Sequence, residues 1–343
     1  MATPSAASSA DDAARRHGRP CPLAARGGRR LGAAVLGLAL LIQGCELVET
    51  ATAVLEDVII AEVYVHVGQP KAGRTMAYAF LHRTVVGSLS RPVPGAAVVL
   101  TLEDGERFTL EEREAAACYS PSTRTGEGNE EVVGEPEFGT CYYLETGAGT
   151  FLPGAAVTLD IALPDGGGLA GLTTIPEDFR ILIPSSPACL LEPRTVLETV
   201  WTKSGGARAY VNESLVYGVG DAIDFDGFRA DDAVELIGVT ASEADTAVLF
   251  PDEYGAFSRF DLPVQISRAL TGGLPPDTEA VVTITSVDLN YVNWARRGGF
   301  NPSGLIRRPS VGGDGTGVFG SSVTHSFRIV AGEASGGIPS CSG

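Results

Sequence analysis

Val98-Val99-Leu100-Thr101-Leu102-Glu103-Asp104-Gly105-Glu106-Arg107-Phe108-Thr109-Leu110 decides the fold class. Two short apolar runs rich in β-branched and aromatic residues flank Asp104-Gly105, a dipeptide that accepts the positive φ angles of a tight hairpin turn. The same grammar extends in both directions. Upstream, Val58-Ile-Ile-Ala-Glu-Val-Tyr-Val-His-Val67 reads as a strand with partial period-two alternation, stopped by Gly68-Gln69-Pro70. Met76–Leu81 and Ala96–Leu102 follow, then, after a long excursion from Ser120 to Thr140, come Cys141–Leu144, Val157–Leu163 and Leu169–Thr174, with Asp165-Gly166-Gly167-Gly168 at a second hairpin. Pro94-Gly-Ala-Ala-Val-Val-Leu100 recurs as Pro153-Gly-Ala-Ala-Val-Thr-Leu159, each copy followed by an Asp-Gly turn. The repeat is too short for a solenoid and reads as two hairpins meeting the same need, a tight turn feeding a strand. Strands about ten residues apart with turn signals between them predict a β-sandwich.

A proline-rich break, Ile183-Pro-Ser-Ser-Pro187 with Glu192-Pro193, places a linker at 185–195 between a sandwich over 58–184 and a second β-rich domain over 196–343. The expected strands of the second domain are Val196–Thr202, Arg208–Val211, Val234–Thr240, Arg259–Ile266, Ala280–Ser286 and Val323–Val330. The period changes at Asp288–Arg297, where Leu289, Val292 and Ala295 share one side with Tyr291 and Trp294 beside them. This predicts one short helix near the C-terminus, capped by Ser286 or Asp288 and stopped by Gly298-Gly299. The fold class is therefore all-β, two sandwich-like domains with one short helix.

The N-terminus carries an address. Arg29-Arg30, the apolar run Leu31–Ile42 and then Gln43-Gly44-Cys45 make a secretory signal whose cleavage site ends in cysteine. The twelve apolar residues fall short of the roughly 20 that span a bilayer. This segment resembles a bacterial lipoprotein signal peptide, which implies cleavage after Gly44 and a diacylglycerol thioether on Cys45. Residues 1–44 are then the signal and 45–57 a lipidated tether, anchored by two or three acyl chains rather than spanning the membrane. Glu46 after the lipidated cysteine is compatible with outer-membrane sorting.

Cysteine usage agrees with export. Beyond Cys45 the chain has Cys118, Cys141, Cys189 and Cys341, an even number that reads as two disulfides with three possible connectivities. Cys118–Cys141, closing the excursion, and Cys189–Cys341, tying the linker to the C-terminal tail, form the favoured pairing. The alternative, a metal site, lacks Cys-x-x-Cys spacing and has only His66, His82 and His325, scattered singly. The 343 residues carry a formal charge of −17, and residues 1–44 hold six arginines against two aspartates, so the chain beyond them stands at −21. Such a surface repels phosphate, which argues against a nucleic-acid partner.

No constellation points to catalysis. Ser214, Ser258 and Ser303 lack a Gly-x-Ser-x-Gly setting. Asp221-Ala-Ile-Asp224-Phe-Asp226-Gly227, with Asp231-Asp232, partly resembles the opening of a calcium loop, but the first acid lies one position too far away and no glutamate stands at the closing position, so it reads as a solvated acidic loop. Gly312-Gly-Asp-Gly-Thr-Gly317 lacks the lysine of a phosphate cradle and reads as a tight connection into the last strand. Tyr291 and Trp294 would suit a sugar-stacking platform, yet beside Leu289 and Val292 they read first as core. The expectation is a non-enzymatic protein with no metal and no cofactor.

Pro92-Val-Pro-Gly-Ala-Ala-Val-Val-Leu100 with Asp104-Gly105, Pro153–Leu159 leading through Asp165-Gly166 to Thr173-Thr-Ile-Pro176, and Asn290-Tyr-Val-Asn-Trp294 followed by Gly312-Gly-Asp-Gly-Thr-Gly-Val-Phe-Gly320, behind a lipoprotein signal, together resemble the bacterial lipoprotein family called domain of unknown function 4249. The resemblance covers most of residues 46–335 and implies an immunoglobulin-like first domain, an outer-membrane location and a role as accessory or ligand-capturing partner of a TonB-dependent transporter. A structural or adhesive envelope lipoprotein, with these domains as spacers, is the alternative. The resemblance supplies no catalytic residues.

Overall fold

A computed structural model describes residues 57–68, 75–86, 89–114, 117–118, 139–147, 149–225, 233–240, 242–254, 262–295, 308–332 and 337–341. Among them strand makes up 53% and helix 8%, which establishes the all-β class. The first half contributes β1 (Ile59–Val67), β2 (Thr75–Val86), β3 (Leu89–Pro92), β4 (Ala97–Leu102), β5 (Arg107–Arg113), β6 (Thr140–Thr146), β7 (Ala156–Ala162) and β8 (Gly168–Thr174). Next come β9 (Ile181–Ile183), β10 (Ala188–Leu191), β11 (Leu197–Trp201), β12 (Ala209–Tyr217), a one-turn helix α1 (Val219–Ala222), β13 (Val234–Val239), β14 (Ala247–Phe250), α2 (Val264–Ala269), β15 (Glu279–Val287), α3 (Leu289–Ala295), β16 (Val311–Gly313) and β17 (Gly315–Ala331).

Alternation builds the walls. On β1, Ile59, Ala61, Val63 and Val65 are buried while Glu62, Tyr64 and His66 face the other way. On β2, Ala77, Ala79 and Leu81 continue the inner face. Leu100 of β4 stands opposite Leu159 of β7, so the two copies of the Pro-Gly-Ala-Ala-Val repeat lie side by side as antiparallel partners. Each is entered through a glycine with positive φ, Gly95 at 75° and Gly154 at 86°, conformations that cost a residue with a Cβ dearly. Both hairpin turns form, with Gly105 at φ 90° and Gly166 at 91°. Leu81, Leu100 and Leu159 are fully buried, each stabilising the fold by about 1.5–3 kcal/mol relative to exposure.

The expected pair of separate sandwiches gives way to one continuous sheet. Its strands run β1-β2-β6-β5-β4-β7-β8-β16-β17, and β17 returns to pair with β1 in parallel, closing a nine-strand ring. The physical reason is the length of β17. Residues Gly315–Val323 pair with β1, and Ser322–Val330 pair antiparallel with β15, which continues to β12 and β13. One 17-residue strand thus belongs to both halves, and Leu55–Gly343 cluster as one compact unit. The stretch 185–195, expected as a linker, carries β10, which pairs in parallel with β17. A small second sheet, β14-β11-β9, lies against the inner face of β12, where Trp201 packs edge-on to Tyr210 at 5.3 Å and Phe179 meets the same ring at 5.8 Å.

Other differences have local causes. The last strand begins at Gly315 rather than Val323, because glycine lets backbones approach closely: a Cβ on Gly317 would run into the Ala61 carbonyl of β1. The expected strand Arg259–Ile266 is helical from Val264, with Pro263 at its N-cap and residues 259–261 outside the described part. The C-terminal helix forms as α3, with Asp288 as its cap, its Oδ1 accepting from the Tyr291 N–H at 2.8 Å. Helices α1 and α2 were not foreseen. Both favoured disulfides are present, Cys118–Cys141 and Cys189–Cys341, with Cα atoms 5.6 and 4.8 Å apart.

Candidate functional site

Seven strands, β6-β2-β1-β17-β15-β12-β13, present one continuous outer face. Its rows follow from the register. Tyr143, Tyr78, Tyr64 and Gly320 lie side by side across β6, β2, β1 and β17; Met76, His66, Ser322 and Val287 form the adjoining row. Thr324 faces Thr285 and then Val211; Thr283 faces Glu213; Val281 faces Leu215.

Helix α3 sits on this face beside Gly320. A Cβ there would come within 3.3 Å of both Tyr291 Cβ and the Tyr64 ring. The glycine gives the helix a close seat that a Cβ would crowd. Asn290 fastens it, its Nδ2 donating at 2.9 Å to the carbonyls of both Leu172 and Phe319, and Trp294 Nε1 donates to Glu62 at 3.2 Å. Beneath the helix start, Thr173 Oγ1 donates to Asp288 Oδ2 at 2.7 Å and lies 2.9 Å from Ser321 Oγ, while the Asp288 N–H donates to the Ser321 carbonyl. Asp288 is only 5% exposed, and burial pushes its pKa up against the lowering effect of these hydrogen bonds. The two sequence patches Asn290–Trp294 and Gly312–Gly320 therefore meet in space, bound through β8.

Beside α3 the face dips into a groove of about 450 Å³. Strand β12 lines it with Val211, Glu213, Leu215 and Tyr217, β15 with Val281, Thr283 and Thr285, β17 with Thr324, β1 with His66 and α3 with Tyr291. This size and mixture suit a small ligand: pockets of 300–1,000 Å³ with apolar walls and a few placed polar groups hold most drug-sized molecules. His66 is held by Ser322, whose Oγ lies 2.7 Å from Nδ1. Burial lowers the imidazole pKa from 6.5 to about 4, so it is neutral near pH 7. Its ring lies nearly parallel to Tyr64 and Tyr78, at 18° and 26° with centroids 6.0 and 5.7 Å away, and Tyr291 meets Tyr64 edge-on at 5.4 Å. Thr285 and Thr324 share a hydrogen bond at 3.0 Å. Glu213 has its pKa raised, first by burial and then by the nearby Glu235 carboxylate; it has no ion pair among the described residues. Among the described residues no lysine or arginine lines the groove.

Of the residues singled out in the sequence, Tyr291 belongs to this site. It lines the groove and also packs on Ala209, Val287 and Val292, as the core reading of Tyr291 expects. Trp294 is tied to Glu62 instead. The histidines stay apart: His82 Nδ1 bonds the Arg83 carbonyl, and His325 Nε2 lies 2.8 Å from Asp178 with its ring edge-on to Phe179. Among the described residues no three metal-ligating side chains gather. Ser214 is fully buried in β12. Asp221 lies on α1 and Asp224 just beyond it, at φ 52°. Gly312–Gly317 forms β16 and its turn into β17, where Asp314 Oδ2 accepts from the Gly168 N–H at 2.8 Å. Cys45, Asp226, Gly227, Asp231, Asp232, Ser258 and Ser303 lie outside the described residues. Sequence reading missed Glu213, the threonines and the role of His66. The outward positions of β1 carried a signal, Glu62, Tyr64 and His66 alternating with buried residues, but those of β12 include Val211 and Leu215, and His66 and Ser322 are 256 residues apart, so nothing local joins them.

No family model and no curated protein matches the chain. Partial likeness is found to a Salmonella alpha-2-macroglobulin (8% identity, TM-score 0.20, 79% of this chain and 15% of that one). A DUF4785 family protein from Legionella pneumophila gives 8% identity and a TM-score of 0.18, over 66% of this chain and 51% of that one. The IG1+IG2 portion of DIP-gamma gives 7% and 0.17, over 80% and 99%. The chain thus spans about 15% of the first structure and about half of the second. Likeness of this degree does not amount to a shared fold, and it says nothing of function.

Proposed function

We propose that the protein is a non-enzymatic envelope lipoprotein, anchored through Cys45 in the outer membrane, that captures a small ligand in the groove beside α3 and serves as accessory to a TonB-dependent transporter. The observation that carries the capture reading is the groove itself: an open recess of about 450 Å³ in which Val211, Leu215, Val281 and two tyrosine rings alternate with threonines, His66 and Glu213. Binding rather than turnover fits its chemistry. The one serine–histidine pair there, His66 with Ser322, has its serine fully buried, so the hydroxyl has no approach to a substrate carbonyl. The anchoring reading rests on the lipobox-like Gln43-Gly44-Cys45, the transporter on the resemblance to domain of unknown function 4249, and the two disulfides suit an oxidising compartment.

The test is a gentle-detergent pull-down of the tagged, lipidated protein from its native envelope, with Cys45→Ala as control and mass spectrometry of what accompanies it. Stoichiometric recovery of a β-barrel transporter, lost in the control, is expected. Recovery of the lipoprotein alone would overturn the accessory role in favour of a spacer or adhesin.

A further inference from the structure

Among the described residues that line it, the groove holds a single kind of formal charge. Glu213 stands between Val211 and Leu215, two positions away on the same strand face, with Thr283 directly across and Val281 beside it on the neighbouring strand. Among the described residues nothing cationic pairs with it; the charge that acts on it is the Glu235 carboxylate, and the Tyr291 phenol nearby is neutral. A half-buried carboxylate without a partner is costly. A neutral ligand would bury it further and leave it unpaired. An anion would be repelled, both by Glu213 and by the acidic chain, whose charge beyond residue 44 is −21. Among the described residues the rings beside the groove make no flat sugar platform. The rings of Tyr64, Tyr78 and His66 are stacked or tilted on one another, and Tyr291 turns its edge to Tyr64 at 63°.

We propose that the groove takes an organic monocation, an amine or guanidine on an apolar body, with the cationic head on Glu213 and the body along Val211, Leu215 and Val281. This rests on the capture reading of the groove and adds its ligand class. The Tyr291 ring beside Glu213 contributes a cation–π contact to the same head, and the neutral His66 adds no opposing charge.

The test is calorimetric titration of the full mature chain near neutral pH with three probes of one shape: phenethylamine, 2-phenylethanol and phenylacetate. The expected result is that phenethylamine binds about tenfold or more tightly than the other two. Glu213→Gln should remove that advantage while leaving 2-phenylethanol within about twofold. Circular dichroism confirms that the variant is folded. Equal or tighter binding of 2-phenylethanol or phenylacetate, or an unchanged preference in Glu213→Gln, would overturn the cation. If Tyr291→Ala then weakens every probe alike, the groove still captures ligands and only the ligand class falls. Absence of heat with any probe up to its solubility limit would overturn both.

Discussion

Lowering the pH from about 7.5 to about 4.5 should cost the folded protein about 2.5 kcal/mol through His66, a half-buried residue on the groove wall. The imidazole pKa falls from 6.5 to about 4 in the folded chain because burial against Tyr64, Tyr78 and Met76 strips its water. In that window the unfolded chain binds a proton at this residue and the folded chain does not, so stability is complete above the unfolded value and drains away as pH falls toward the folded one. Glu213 and Asp288 act in the opposite sense. Both are held high by burial, so the folded state takes up their protons first and gains stability as pH falls. Asp57, held low mainly by its hydrogen bond to Arg91, loses stability on acidification. The His66 contribution is therefore read as a difference. His66→Gln keeps a hydrogen-bonding group for Ser322 but cannot titrate. Urea unfolding of wild type and His66→Gln, disulfides intact, across this pH range should show the stability difference between them shifting by about 2.5 kcal/mol in favour of the variant at the acid end. Curves parallel to within about 0.5 kcal/mol would refute the buried, neutral imidazole.

Thr173→Val removes the hydroxyl that donates to buried Asp288, and urea unfolding should register a loss of about 1–3 kcal/mol, with α3 loosened as seen by hydrogen exchange; a loss confined to exposed loops would count against the polar knot. Gly317→Val drives a side chain into the Ala61 carbonyl where β17 meets β1, so exchange protection along β1 should collapse, whereas Gly312→Val, with open space around its Cβ, should leave it intact. Cys189→Ser with Cys341→Ser frees a loop closed over a sequence separation of 152, a chain-entropy effect of about 5 kcal/mol at most. Cys118→Ser with Cys141→Ser frees one of 23, about 3 kcal/mol. The reverse ranking in urea midpoints would place the effect in the native state instead.

The longer strands of the first half were legible in the sequence because their signals are local, whereas β9, β10, β14 and β16 were not. Alternation in Val58–Val67 and the Asp104-Gly105 and Asp165-Gly166 turns need only neighbouring residues, and the disulfide pairs were among the few connectivities available. Ring closure was not legible. Gly312–Gly317 reads as a connection by glycine's low strand propensity, yet Gly317 is what lets β17 press against Ala61, and Tyr291 rests on Gly320 beyond it. Val264–Ile266 reads as strand until Pro263 sets the start of a helix. The groove was half-legible. Tyr291 stood out through its helical spacing, but Glu213 and His66 come from β12 and β1, brought onto one face by the pairing of β17 with both β1 and β15. That pairing is a long-range fact with no local signature.

Native mass spectrometry of the protein purified from its own envelope in mild detergent tests the central claim most directly. The account predicts a chain beginning at Cys45 with a covalent diacylglyceryl mass, and on part of the population a small adduct that dissociates on activation and is missing in Glu213→Gln. A chain with an unmodified Cys45, and no adduct that Glu213→Gln alters, would contradict it.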